Sequence, residues 1–171
     1  MSFRLLAVLA KTCKPWRTAG KDRGTGGIME HAGPPPLRWG YMVLAVADMA
    51  AMTEWYGRVL GLAVTQSGAM PAVESEFAVL AGHGMRLELC CRPAAAATPE
   101  VTPPPPHHAD RTGWKVLTLH CDDLAALDRH LDAAGAEVLW PSRTLAPGIC
   151  STLLCDPEGN LINIFGPPPP G

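Results

Sequence analysis

The sequence predicts an α+β fold: two tandem βαβββ modules forming a curved, half-open mixed sheet around a cavity, with helices on the outside. Two observations carry this expectation. Asp48-Met49-Ala50-Ala51-Met52 returns 75 residues later as Asp123-Leu124-Ala125-Ala126-Leu127, and Gly84-Met85-Arg86-Leu87-Glu88-Leu89 returns at the same offset as Gly159-Asn160-Leu161-Ile162-Asn163-Ile164. Two distant segments that keep one offset mark a duplicated supersecondary unit. Each half also runs in the same order: an apolar strand, an Asp-capped helix closed by glycine, then three more strands.

The first module spans 37–92, after Pro34-Pro35-Pro36 has blocked regular structure. Residues 41–47 form a short apolar run that reads as a buried strand. Asp48 is a good helix N-cap, and Met49, Met52, Tyr56, Val59 and Leu60 recur at helical spacing until Gly61 ends the helix. Residues 62–66, 77–80 and 85–91 read as strands, the last two joined by the turn Ala81-Gly82-His83-Gly84. Residues 93–112 are rich in proline and alanine, cannot pack a core, and read as an extended linker.

The second module, 113–166, repeats the plan. Residues 114–121 read as a strand, and Asp123 or Asp122 caps a helix whose stripe is Leu124, Leu127, Leu131 and Ala134, ended by Gly135. A strand over 136–140 opens a long loop from Pro141 to Ile149, and residues 149–155 are the next strand. In the turn Asp156-Pro157-Glu158-Gly159-Asn160, proline sets φ and glycine permits a positive φ. The last strand covers 161–165, and 167–171 is a proline tail.

At 171 residues the chain suits one domain, or two small modules sharing a core. An apolar share of 47% is ordinary for a globular protein, and a net charge of -2 makes no general case for nucleic acid. Residues 1–28 nonetheless hold six Lys/Arg against one Asp, while the rest holds eight against fifteen Asp/Glu. The apolar block at 5–10 is too short to span a bilayer and marginal for a signal peptide. Residues 1–36 therefore read as an N-terminal extension, disordered or extraneous, with Met29 as an alternative natural start. A basic arm touching nucleic acid is a distant third reading. Neither a membrane nor a nucleic-acid partner is expected, and a cytoplasmic location is. The six cysteines form no CxxC pair, and they read as reduced, buried thiols.

The strand-Asp-helix-Gly order of each half, the run Trp55-Tyr56-Gly57-Arg58-Val59-Leu60-Gly61-Leu62 and the closing run from Asp156 to Phe165 resemble the vicinal oxygen chelate superfamily. That group includes glyoxalase I, bleomycin-resistance proteins, extradiol dioxygenases and fosfomycin-resistance enzymes. The resemblance covers about 37–166. It implies the paired βαβββ fold and a homodimer, but it names no single reaction. In metal-using members, side chains from the first and last strands of each module converge on one divalent ion, typically His at the first and Glu at the last. Carried onto this chain, those positions are Tyr41, Glu88, Val116 and Asn163, and the 75-residue offset relates them in pairs.

Only Glu88 keeps a good ligand type. A phenol with a reference pKa of about 10 is mostly protonated at neutral pH. Asn163 offers a neutral carbonyl, and Val116 offers nothing. A catalytic divalent site usually has three protein ligands, so the family's usual metal site is not expected. No cofactor is expected, with a divalent metal held by Glu88 and His120 or Tyr41 as the alternative.

Strand alternation places Tyr41, Val43 and Ala45, Arg86, Glu88 and Cys90, Val116, Thr118 and His120, and Leu161, Asn163 and Phe165 on the cavity face. Apolar walls with a few polar groups suit a small-molecule pocket. The candidate ligand-binding residues are Tyr41, Arg86, Glu88, Thr118, His120, Trp140 and Asn163, and the candidate acid–base residues are Glu88, His120 and Tyr41. Plain structural readings stand beside them. His120 reads first as a rim histidine before Asp122-Asp123, Arg86 and Glu88 as a neutralising pair, and Trp55, Trp114 and Trp140 as core aromatics. His107-His108, in a proline-rich loop, reads as solvated rather than as a metal pair.

Three functions compete. The first is small-molecule binding in a cavity lacking the usual metal site, as the drug-binding resistance proteins do. The second is a metal-dependent lyase or dioxygenase with a rearranged set such as Glu88, His120 and Tyr41, which requires those side chains to converge. The third is a non-metal enzyme moving protons through Tyr41, Glu88 or His120. Binding leads, because the scaffold is intact while the ligand set is lost. Whether the modules pair within a chain or exchange between chains is left open.

Overall fold

The computed structural model describes residues 38–93, 103–110 and 113–168. The readings of the N-terminal extension, of Cys13 and of part of the linker lie outside the described residues. The first module consists of β1 (Met42–Val46), α1 (Met49–Leu60), β2 (Ala63–Met70), β3 (Ser75–Gly82) and β4 (Met85–Cys91). The second consists of β5 (Val116–His120), α2 (Leu124–Ala133), β6 (Glu137–Ala146), β7 (Ile149–Cys155) and β8 (Leu161–Gly166). The sheets have the orders β1-β4-β3-β2 and β5-β8-β7-β6. In each, the pair at one edge, β1–β4 or β5–β8, is parallel and the others are antiparallel. This is the α+β architecture of two open mixed βαβββ sheets that the repeat implies.

Local chemistry sets the helix limits. Asp48 sits in extended backbone and accepts the Ala51 N–H at 3.0 Å, while Asp123, not Asp122, accepts that of Ala126 at 2.8 Å. Gly61, at φ 65°, turns the chain out of α1, and the N–H groups of Gly61 and Leu62 close onto Gly57 and Tyr56 carbonyls. On α1 the buried stripe is Met52, Trp55, Tyr56, Val59 and Leu60. Burying side chains of this size contributes roughly 1.5–3 kcal/mol each.

One core serves both modules. Leu87 and Leu89 of β4, Leu154 of β7, Ile162 and Ile164 of β8, and the stripes of α1 and α2 pack into a single cluster. The helices also meet directly: Arg58 Nη1 donates to the Ala134 carbonyl, and His130 Nε2 donates to the Val59 carbonyl at 3.1 Å. The helix-covered faces of the two sheets therefore share one interior. Their opposite faces are left open, with Val43 59% exposed.

The structure corrects three expectations about elements. The repeat holds at 75 residues for the pairs Val43–Glu88 and Thr118–Asn163 but at 74 for Ala63–Ala81 and Glu137–Cys155. The second half loses one residue before Gly135 and regains it in the turn after Cys155. The segment after Trp140 is not a loop, because β6 continues to Ala146. Pro141 is tolerated there because β6 is an edge strand and the ladder is irregular on both sides of it. Ser142, at φ 35°, is held by its N–H to Thr152 Oγ1 at 3.0 Å and by its hydroxyl to Asp128 at 2.5 Å. Finally, the linker is not extended throughout. His107–Ala109 form a 3-10 turn, and His107 Nδ1 lies 3.1 Å from Asp110.

Candidate functional site

The registers lay out two rows of side chains across the open faces. On the first sheet Val43, Glu88, Val79 and Gln66 are consecutive partners across β1, β4, β3 and β2. On the second, Thr118, Asn163, Leu153 and Trp140 are consecutive partners across β5, β8, β7 and β6. Glu88 and Asn163 thus occupy equivalent central positions.

Glu88 is only 8% exposed, yet it has no hydrogen bond or ion pair among the described residues. The neutralising pair with Arg86 does not form. The Arg86 guanidinium instead lies over the Tyr41 ring, 5.3 Å from its centroid. Residues two apart on a strand are separated by about 7 Å, whereas Tyr41 meets Arg86 across the parallel β1–β4 pair. Tyr41 itself is 43% exposed.

The second open face is mainly apolar. Val116, Trp140, Leu153, Cys155 and Leu161 form a cluster of their own, separate from the main core. Trp140 Nε1 points at Ser151 Oγ at 3.4 Å, and the Arg143 guanidinium lies 5.1 Å from the ring centroid. Asn163 Oδ1 is buried without a hydrogen-bond partner among the described residues. His120 is exposed beside Phe165, with ring centroids 6.0 Å apart, and Thr118 is exposed. Burial first, and then the negative charge of Glu137, pushes the Cys155 thiol up to about 11.

These residues do not fit the divalent ion of the superfamily within one chain. Tyr41 is stacked against a cation, Val116 belongs to an apolar cluster, and Asn163 is an amide. Glu88 and His120 stand on different sheets. Among the described residues, no three His, Cys, Asp or Glu side chains gather to hold a metal.

Sequence reasoning missed the groups that tie the modules together. Tyr56 of α1 donates its hydroxyl to Asp156 Oδ2 at 2.9 Å, with both residues 2% exposed. Burial and the Asp156 charge raise the tyrosine pKa well above its ordinary value. Glu158 Oε1 accepts the N–H groups of Ala47 and Asp48, at 2.8 and 3.0 Å, at the start of α1. The turn from Asp156 to Asn160 is therefore a clamp on the other module. Its composition signalled only the turn.

The sequence profile of the Glyoxalase-like domain matches residues 41–165. No curated protein matches the chain significantly. The glyoxylase/bleomycin resistance protein/dioxygenase domain from Frankia sp. EAN1pec has a TM-score of 0.64 at 18% identity, over 78% of this chain and 93% of that one. The glyoxalase family protein from Enterococcus faecalis has 0.59 at 20% identity, over 72% and 92%. A glyoxalase I variant from Zea mays has 0.58 at 16% identity, over 74% of this chain and 46% of that one. These structural likenesses are likenesses of fold. The profile spans both modules from Tyr41 to Phe165, and on that ground the chain belongs to the glyoxalase-like domain family of the vicinal oxygen chelate superfamily.

Proposed function

We propose that this protein binds a small organic molecule carrying a hydrogen-bond donor or a cationic group, in a cavity built on the open sheet faces without the superfamily's usual metal site. One observation carries the reading: Glu88, 8% exposed as a residue, has no hydrogen-bond or ion-pair partner among the described residues, and its carboxylate oxygens open onto the sheet face. A carboxylate that no neighbouring side chain engages is free to accept a hydrogen bond or ion pair from a ligand.

The surroundings suit this role. Val43 and Val79 flank Glu88, and the Tyr41–Arg86 stack offers a ring face and further donors. The second sheet offers an apolar floor around Trp140, with Thr118 and Asn163 as polar points. Because the helix-covered faces are joined inside one chain, a second copy is the natural cover for the open faces, and a homodimer is part of the proposal. Exposed Trp39, Val43 and Trp114 provide apolar surface for it, at 79%, 59% and 74%. The same lone carboxylate suits a general base, which is the enzyme reading of this site.

The test joins elemental analysis with a ligand screen. Protein dialysed against zinc, nickel, manganese or iron(II) is expected to retain no stoichiometric ion. Thermal-shift screening of amines, amides and phenols is expected to give ligands whose shift disappears in Glu88→Gln. A stoichiometric ion that Glu88→Ala releases would overturn the reading in favour of a metal-dependent lyase or dioxygenase. Turnover of a ligand that Glu88→Gln still binds but cannot convert would make Glu88 a base.

A further inference from the structure

We propose a second ligand site, separate from the open faces, at the seam between the modules: a cavity that takes a small carboxylic acid with an apolar tail. Where the last turn of α1 meets β5 and α2, a cavity of about 540 Å3 opens. That lies within the roughly 300–1,000 Å3 range of small-molecule sites. Leu60, Leu62 and Met85 wall it from the first module, and Leu119, Leu127 and Ile164 from the second. Most of these belong to the helix-covered side of the sheets, so the cavity is distinct from the face that carries Glu88.

The polar groups at this seam are of one kind. His83 comes from the β3–β4 turn, His120 and Cys121 from the end of β5, and His130 from α2. Among the described residues, no Asp, Glu, Lys or Arg lines the cavity. Arg58, nearby on α1, is engaged with Glu54 and the Ala134 carbonyl. Cys121 Sγ is engaged with the Asp123 carbonyl at 3.4 Å.

His83 and His130 belong to different modules but hold successive carbonyls of α1, those of Leu60 at 3.0 Å and Val59 at 3.1 Å. A carbonyl only accepts, so Nε2 of each ring carries a proton and donates it. The neutral ring is then left with Nδ1 as a bare acceptor. A carboxylic acid brings the proton that Nδ1 lacks. Its O–H donates to Nδ1, or the proton passes over and an imidazolium–carboxylate pair remains; in both cases the ring keeps its bond to the helix. An amine would find no carboxylate here, and a metal ion would find no group of three ligands among the described residues. An apolar tail would lie on Met85, Leu119 and Leu127.

The test is calorimetric titration of the whole chain with octanoate and with octanol. One octanoate should bind per chain, and octanol at least tenfold more weakly. Binding takes up a proton, so octanoate affinity should rise about tenfold from about pH 8 to about pH 6. His130→Gln, which keeps a donor for the Val59 carbonyl, should weaken octanoate about tenfold. Leu127→Trp fills the cavity and should abolish binding while cooperative unfolding persists. Glu88→Gln should leave octanoate binding unchanged, which separates this site from the open face. Equal binding of octanol, no binding of octanoate, undiminished binding in Leu127→Trp, or loss of binding in Glu88→Gln would each overturn the assignment.

Discussion

Replacing Tyr56 with phenylalanine removes a single hydroxyl from the joint between the modules and leaves the ring in the core. That hydroxyl donates to Asp156 Oδ2 at 2.9 Å, and Asp156 Oδ1 also accepts the N–H groups of Glu158 at 3.0 Å and Asn160 at 2.8 Å. A hydrogen bond to a charged acceptor contributes about 1.5–3 kcal/mol. Because the carboxylate keeps its donors within the turn, the lower part applies, about 1.5–2 kcal/mol. In a chain of this size that lowers Tm by roughly 3–8 °C. Urea unfolding of the parent, Tyr56→Phe, Asp156→Asn and the double variant should give a coupling of at least about 1 kcal/mol. Alkaline pH is a second readout. Burial first, and then the Asp156 charge, raises the tyrosine in the folded state. The unfolded chain therefore gives up this proton first. The contribution is fully present below about pH 10 and is lost above it at up to about 1.4 kcal/mol per pH unit. Tyr56→Phe lacks that share of the alkaline loss. A variant within about 0.5 kcal/mol of the parent, with the same alkaline profile, would refute the clamp.

Two further predictions concern the second module. Asp128→Ala removes the acceptor of Ser142 Oγ and of Thr152 Oγ1, at 2.5 and 2.6 Å, and leaves the proton of the fully buried Thr152 hydroxyl without an acceptor, while its oxygen still accepts the Ser142 N–H. It should cost about 2–4 kcal/mol, read from the urea midpoint, with faster amide exchange in β6; an unchanged midpoint would sink the idea. Cys155, its thiol pushed up to about 11, carries little thiolate at mild pH. Iodoacetamide followed by mass spectrometry should therefore modify the half-buried Cys90, Cys91 and Cys121 before Cys155, and the reverse order would contradict its placement.

What was legible in the sequence was mostly local. Asp48 and Gly61 bound α1 through their own side chain and φ, and β4 and β7 begin and end where their apolar runs do. The expected faces followed from alternation alone. The one-residue slip between halves was hidden because a single offset registers only β1, β4, β5 and β8. Pro141 reads as a breaker, yet an edge strand needs no N–H there. The Tyr56–Asp156 bond joins residues 100 apart, and the cradle of His83 and His130 around α1 exists only once the modules dock. The candidate site divides the same way. Position on a face is a property of one strand, whereas the stacking of Arg86 on Tyr41 instead of pairing with Glu88 is decided by the neighbouring strand.

At Glu88 stability and function pull in opposite directions, which makes its removal decisive. A carboxylate kept for packing or pairing would leave a hole or an orphaned partner behind when replaced. The partner is absent among the described residues, and the neighbours Val43 and Val79 are aliphatic. Glu88→Leu should therefore orphan no partner and extend the apolar row. The ligand-free protein is expected to keep its stability or gain up to about 1 kcal/mol from the added apolar contact. Ligands from the screen should no longer bind, and Glu88→Gln should lie between the two in stability. Measurement in urea without ligand, at a protein concentration where parent and variants share one oligomeric state, removes the contribution of association. A loss of more than about 1 kcal/mol would mean that Glu88 holds the fold together. The open face would then lose its claim to be the binding site.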